Sequence, residues 1–157
     1  MSSEAEKLLQ KFVLMLEDKF DVRRKTSTNV LDLHLKGADS KEEANSLASM
    51  LKRVLKGDFG LYVLVSKEVG FWGPSESIIN KLRSAYVEKW AMILLDGSPT
   101  IGHLYTPEDV ANSCAAWSTN ETGESYKIHK SDLGYHRRFI GKSDFWDVLM
   151  EAGAKWG

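Results

Sequence analysis

Two continuous apolar runs, Leu-Tyr-Val-Leu-Val at residues 61–65 and Trp-Ala-Met-Ile-Leu-Leu at residues 90–95, constrain the fold more than any other feature of the sequence. Each has the length of a strand and lacks polar alternation, so each needs apolar cover on both faces. A chain that buries two such strands needs a central sheet with helices above and below it. Between them Ile78, Ile79, Leu82 and Tyr86 recur at helical spacing. Strand, helix, strand in that order is the pattern of a parallel crossover.

The upstream sequence extends the pattern. Ser3 and Glu6 can form a capping box for a first helix, whose buried stripe is Leu8, Leu9, Phe12, Val13, Leu16 and Phe20. Short strands follow at residues 20–25 and 30–36, joined by the turn-like Thr26, Ser27, Thr28 and Asn29. A second helix is expected over residues 40–56, capped by Asp39 or Ser40, with Leu47, Leu51, Val54 and Leu55 on its core face and Gly57 just past its end. Gly70-Phe71-Trp72-Gly73 leads to Pro74, which fits the first position of the next helix. Asp96-Gly97 reads as the turn that stops the 90–95 strand. Beyond it come a short strand at 101–105 and a helix start at Thr106, Pro107 and Asp109. A short strand near 126–129 and a last helix from about Ser143 complete the chain.

With 157 residues, the expectation is a single α/β domain. Its central sheet is mixed, an amino-terminal hairpin followed by parallel βαβαβ strands, and helices flank it. The core spans about residues 1–97, and 98–157 form an extension of strand and helix.

Several functions are excluded or left without a signal. No run of about 18 apolar residues could cross a membrane as a helix. The first residues, Met1-Ser2-Ser3-Glu4-Ala5-Glu6, are polar and acidic where a secretory signal is basic and then apolar. The chain is therefore read as cytoplasmic, and Asn120-Glu121-Thr122 as a chance glycosylation match. Neither a phosphate-binding Gly-Lys-Ser/Thr loop nor a dinucleotide fingerprint occurs. His34, His103, His129 and His136 offer no i, i+4 pair for zinc. Cys114, beside Val110, Ala111 and Trp117 in helical spacing, reads as a small buried thiol.

Residues 30–36 alternate strictly. Leu31, Leu33 and Leu35 point one way, and Asp32, His34 and Lys36 the other. One reading is a hairpin strand with a wet outer face. The other is a catalytic strand whose carboxylate, imidazole and amine converge on a metal or phosphate.

His34-Leu35-Lys36-Gly37, the helix expected after it, and the strands at 60–66 and 92–97 together resemble the PD-(D/E)XK nuclease superfamily, in particular its restriction-endonuclease-like, Mrr-like branch. The likeness covers about residues 20–97 and rests on element order and apolar pattern. It implies metal-dependent phosphodiester cleavage with Mg2+, with Lys36 as catalytic lysine and Asp21 as metal ligand. The family usually carries an acid two residues before the lysine, where this chain has His34. A neutral imidazole is a poor magnesium ligand, so the resemblance implies weak or lost cleavage. Asp32, the carboxylate of the 30–36 strand, is the second candidate metal ligand.

The formal charge of −1 conceals segregated patches. Lys19, Arg23, Arg24 and Lys25 form one basic group; Lys127, Lys130, Arg137, Arg138 and Lys142 form another, interleaved with Tyr126, His129, Tyr135, His136 and Phe139. Residues 106–124 hold acids and no Lys or Arg. Basic residues mixed with aromatics can track a nucleic-acid backbone and stack on bases. They can equally form solvated faces balanced by acids on neighbouring elements.

Two functions follow as expectations. The first is a nuclease-like nucleic-acid-binding domain with Asp32, His34 and Lys36 as catalytic residues, Asp21 and Asp32 as metal ligands, and Arg23, Arg24, Lys25, Arg137 and Arg138 on the nucleic acid. The second is a non-catalytic module that binds a protein partner or small ligand through an aromatic surface, with Trp72 as the best anchor among five tryptophans (72, 90, 117, 146 and 156). A third and weaker alternative is a small-molecule enzyme with Lys67, Glu68 and Asp96 at the strand ends.

Overall fold

The computed structural model describes residues 4–25, 28–35, 58–66, 70–133 and 137–154. In chain order these form α1 (Glu4–Glu17), β1 (Phe20–Arg24), β2 (Val30–Leu35), β3 (Phe59–Val65), β4 (Phe71–Trp72), α2 (Glu76–Tyr86), β5 (Trp90–Ser98), β6 (Ile101–Tyr105), α3 (Pro107–Ser113), β7 (Ser118–Thr119), β8 (Tyr126–His129), β9 (Arg138–Ile140) and α4 (Lys142–Gly153).

The two apolar runs lie side by side in a six-stranded sheet of order β1-β2-β3-β5-β6-β9. β3 and β5 are parallel, with Leu61 opposite Ala91 and Val65 opposite Leu95. Their side chains divide between two cores because successive residues point to opposite faces. Leu61, Val63, Ala91 and Ile93 meet Leu9, Phe12 and Leu16 of α1 and Phe145 and Leu149 of α4. Tyr62, Leu64, Trp90, Met92 and Leu94 meet Ile79 and Leu82 of α2, with Val110, Trp117 and Ile128. A small second sheet, β4-β8-β7, completes that layer.

The mixed sheet and flanking helices agree with the sequence. The number of parallel crossovers does not. β2 pairs antiparallel with β3, Leu33 opposite Phe59 and Val30 opposite Tyr62, so β3-α2-β5 is the one parallel crossover among the described residues. The end of β2 lies beside the start of β3, and no crossing of the sheet is needed to join them. A strand–helix–strand pattern in sequence fits either connection, because it records which faces are buried and not strand direction. The helix expected over 40–56, with its capping and core residues, lies outside the described residues.

Local signals were corrected at two places. α2 begins at Glu76 with Ser75 as N-cap, its Oγ accepting the Ile78 N–H, so Pro74 precedes the cap and is not the first helical residue. Asp96-Gly97 does not end β5. Gly97 takes φ 74° within a bulge between Leu95 and Ser98, and the chain reverses at Pro99 and Thr100. The extension after residue 97 joins the same layers: β6 and β9 complete the main sheet, and Phe139, Phe145 and Leu149 share the core with α1. The capping box at Thr106 and Asp109, with Pro107 inside it, forms as the sequence indicates.

Candidate functional site

β1 and β2 pair with Asp21 opposite His34 and Arg23 opposite Asp32. Leu31, Leu33 and Leu35 are buried against α1 and α4, as alternation required, which turns Asp32 and His34 to the opposite face. There Glu17, Asp21, Arg23, Asp32, His34 and Asp58 line an open concavity of about 600 Å³. The strand pairing thus gathers Asp21, Arg23, Asp32 and His34, three of which come from the proposed catalytic and metal sets. Lys36, the proposed catalytic lysine, lies outside the described residues.

Two of these side chains are already held. His34 Nδ1 lies 2.6 Å from Asp58 Oδ1. An ionised carboxylate only accepts, so the imidazole carries its proton on Nδ1 and, when neutral, presents Nε2 as an acceptor. Tyr86, at the end of α2, donates its hydroxyl to Asp32 Oδ1 at 2.8 Å. Burial, and then the Asp32 carboxylate beside it, pushes the Tyr86 phenol well above its ordinary range. Asp58, Glu17 and Tyr86 were not legible as members of this site. Asp58 enters through the β2–β3 register, and Tyr86 has the helical spacing of a core residue.

The basic residues are dispersed among partners. Arg24 reaches back to α1, where it pairs with Glu6, and also donates to the Thr28 carbonyl at 2.8 Å and to Asn29 at 3.2 Å. Arg24 holds the Glu6 carboxyl below its usual range. Lys25 sits over the Tyr86 ring, 5.6 Å from its centre. Arg137 is only 16% exposed and pairs with Asp109 and with Glu151. Lys130 pairs with Asp96 at 3.5 Å, and Lys142 with Asp18. Arg23 and Arg138 are exposed, with no ion-pair partner among the described residues.

No protein-family model, curated protein or solved structure matches this chain.

The aromatic anchors point inward. Trp72 is 1% exposed and donates its indole N–H to the Leu95 carbonyl at 2.9 Å, so it locks β4 onto the sheet and is not an exposed anchor. Trp90, Trp117 and Trp146 are also buried, and Trp156 lies outside the described residues. The expected aromatic surface is therefore absent for the described tryptophans: a Gly/Pro-flanked Trp reads the same in sequence whether it covers a core or faces water. Cys114 is half-buried at the end of α3, near Tyr126, and is not a fully buried thiol. Lys67 and Glu68 lie outside the described residues, and Asp96 is engaged by Lys130.

For a magnesium ion the concavity offers the expected Asp21 and Asp32, the latter already bonded to Tyr86, together with Glu17 and Asp58, the latter already beside His34. Among the described residues no group of three or more His, Cys, Asp or Glu side chains is placed to hold one ion.

Proposed function

We propose that this chain is a non-catalytic α/β binding module that acts through a protein partner, built on a restriction-endonuclease-like arrangement of elements. The observation that supports this reading is the internal engagement of groups that nucleic-acid binding and cleavage would use. Arg24, Lys130, Arg137 and Lys142 each face a carboxylate of the same chain, and Asp32 and His34 are bonded to Tyr86 and Asp58. A cation already neutralised by an intramolecular acid contributes little counterion release on nucleic acid. The hairpin, the third strand and the parallel crossover supply the likeness in element order.

A second reading, a nuclease-like nucleic-acid-binding domain with weak or lost cleavage, has one observation in its favour. Arg23 stands beside Asp21, Asp32 and His34 in a concavity at the edge of a basic hairpin. Arg23, Lys25 and Arg138 would then carry the phosphate contacts.

Fluorescence anisotropy with labelled single- and double-stranded DNA and RNA, at about 50 mM salt and again at about 200 mM, separates the two readings. The module reading expects no saturable binding at either salt, and no nicking of plasmid with Mg2+ or Mn2+. Saturable binding that weakens steeply with salt and falls in Arg23→Ala supports the nuclease-like reading and overturns the first.

A further inference from the structure

We propose that the groove between the end of α2 and the start of α3 is a binding site for a free α-amino acid with an apolar side chain. Arg83, Val87, Glu88, Pro107, Glu108 and Ala111 line an open cavity of about 580 Å³ there, within the size range of small-ligand sites. The groove shares no residue with the concavity at the β1–β2 hairpin and is independent of the protein-binding reading above. Arg83, Val87, Glu88, Glu108 and Ala111 are all exposed, so it opens to solvent. Its lining holds both signs of charge, kept apart. Arg83 lies in the last turn of α2 and donates to Asn80 Oδ1 at 3.4 Å, a long bond to a neutral group. Glu88 follows that helix, and Glu108 stands in the first turn of α3. Among the described residues none of the three has an ion-pair partner, and they do not pair with one another. Arg24, Lys130, Arg137 and Lys142, by contrast, each face a carboxylate of the same chain.

A guanidinium binds a carboxylate through paired N–H bonds, and a carboxylate binds an ammonium through charge-assisted ones. In an α-amino acid those two groups sit on one carbon, so a single ligand can span a gap that the protein's own charges leave open. Arg83 takes its carboxylate, and Glu88 and Glu108 take its ammonium. The remaining wall is apolar. Val87 is 69% exposed, a rare state for a large apolar side chain among the described residues, and it stands in this groove beside Pro107 and Ala111. Its backbone takes φ 60°, a conformation that a β-branched residue seldom adopts. The indole N–H of the buried Trp90 donates to the Val87 carbonyl at 3.0 Å, so the turn is held in place before any ligand arrives. A branched aliphatic side chain laid on Val87, Pro107 and Ala111 removes that surface from water.

Amide chemical shifts of the isotope-labelled protein, followed while L-leucine is added to roughly 20 mM at constant ionic strength, test this, because a ligand of so few atoms binds weakly in an open groove. The expected result is saturable movement centred on Val87, Glu88, Glu108, Ala111 and the Trp90 indole N–H, with a Kd between about 0.1 and 10 mM. N-acetyl-leucine lacks the ammonium, leucinamide the carboxylate and glycine the apolar side chain, and each should bind at least about tenfold more weakly. Arg83→Gln, and Glu88→Gln combined with Glu108→Gln, should each weaken leucine to the same degree. All three side chains are exposed, so these variants keep the fold. Val87→Gly, which suits the positive φ, removes the apolar wall and should bring leucine to the level of glycine. The absence of a saturable shift with leucine overturns the proposal. So does any of the three analogues binding as tightly as leucine, or a leucine affinity indifferent to Arg83→Gln.

Discussion

Tyr86 packs against Gly60 and reaches Asp32: its hydroxyl donates to Asp32 Oδ1 at 2.8 Å, while a Cβ built on Gly60 would come within 2.6 Å of its ring. Asp32 sits opposite Gly60 in the β2–β3 register, so the missing side chain on β3 is what lets the ring approach and bond the next strand. The pair ties the end of α2 to the hairpin and occupies one of the carboxylates proposed for catalysis.

Removing the phenol hydroxyl should release Asp32. Tyr86→Phe is expected to destabilise the fold by about 1 kcal/mol, the usual net value of such a bond at a partly exposed site. Gly60→Ala should cost more, about 1–3 kcal/mol, because the ring must leave. In a Tyr86→Ala background the Gly60→Ala cost should fall sharply, and a double-mutant cycle from urea melts reads that coupling. Additive effects would show that the ring does not depend on Gly60.

Gly102 is under a harder constraint. A Cβ there would lie 2.1 Å from the Leu94 carbonyl oxygen, a backbone atom of the adjacent strand that cannot swing aside. Gly102→Ala should therefore part β5 from β6 and destabilise by more than about 3 kcal/mol, or prevent folding altogether. Expression level and the thermal midpoint measure this, with Gly123→Ala as the comparison, since nothing lies within 4 Å of a Cβ there and its φ of 74° is the only added strain.

Arg137 is a structural cation. It pairs with Asp109, whose carboxylate also accepts the Thr106 N–H in the capping box of α3, and with Glu151 of α4. Arg137→Met keeps the volume and takes the guanidinium away from the Asp109 carboxylate in a mostly buried position. A loss of about 2 kcal/mol is expected in chemical denaturation. An unchanged midpoint would instead mark Arg137 as available for other work.

Stability should decline in alkali through the buried phenols. Burial raises Tyr62, Tyr86 and Tyr105 above their ordinary values, so the folded state favours the protonated form of each. Their contribution is complete below the unfolded value of about 10 and is lost as pH rises toward the folded values. Thermal midpoints should be flat from about pH 8 to 9.5 and fall beyond it, and the fall should be shallower in Tyr86→Phe. An equal fall in both proteins would assign the alkaline loss to other groups.

The alternation of residues 30–36 showed which side of β2 is buried, and the burial of Leu31, Leu33 and Leu35 agrees with it. It could not show what stands over Asp32 and His34. Their partners, Tyr86 and Asp58, are 54 and 24 residues away along the chain. The same holds for the basic groups: Arg24 meets Glu6 across 18 residues, and Lys142 meets Asp18 across 124. Residue type and local spacing carry no information about contacts of that range.

What the sequence determined by itself is the layered architecture. Two unbroken apolar runs require cover on both faces, amphipathic helices supply it, and the Thr106-Pro107-Asp109 start forms as written, because all of these depend on neighbours within a turn or a strand. Strand direction between β2 and β3, the inward seat of Trp72 and the pairing of the charges were decided by tertiary structure alone. Each depends on which distant segment the collapsed chain sets alongside. The segregated basic patches of the sequence become, in the folded chain, largely a set of ties between elements.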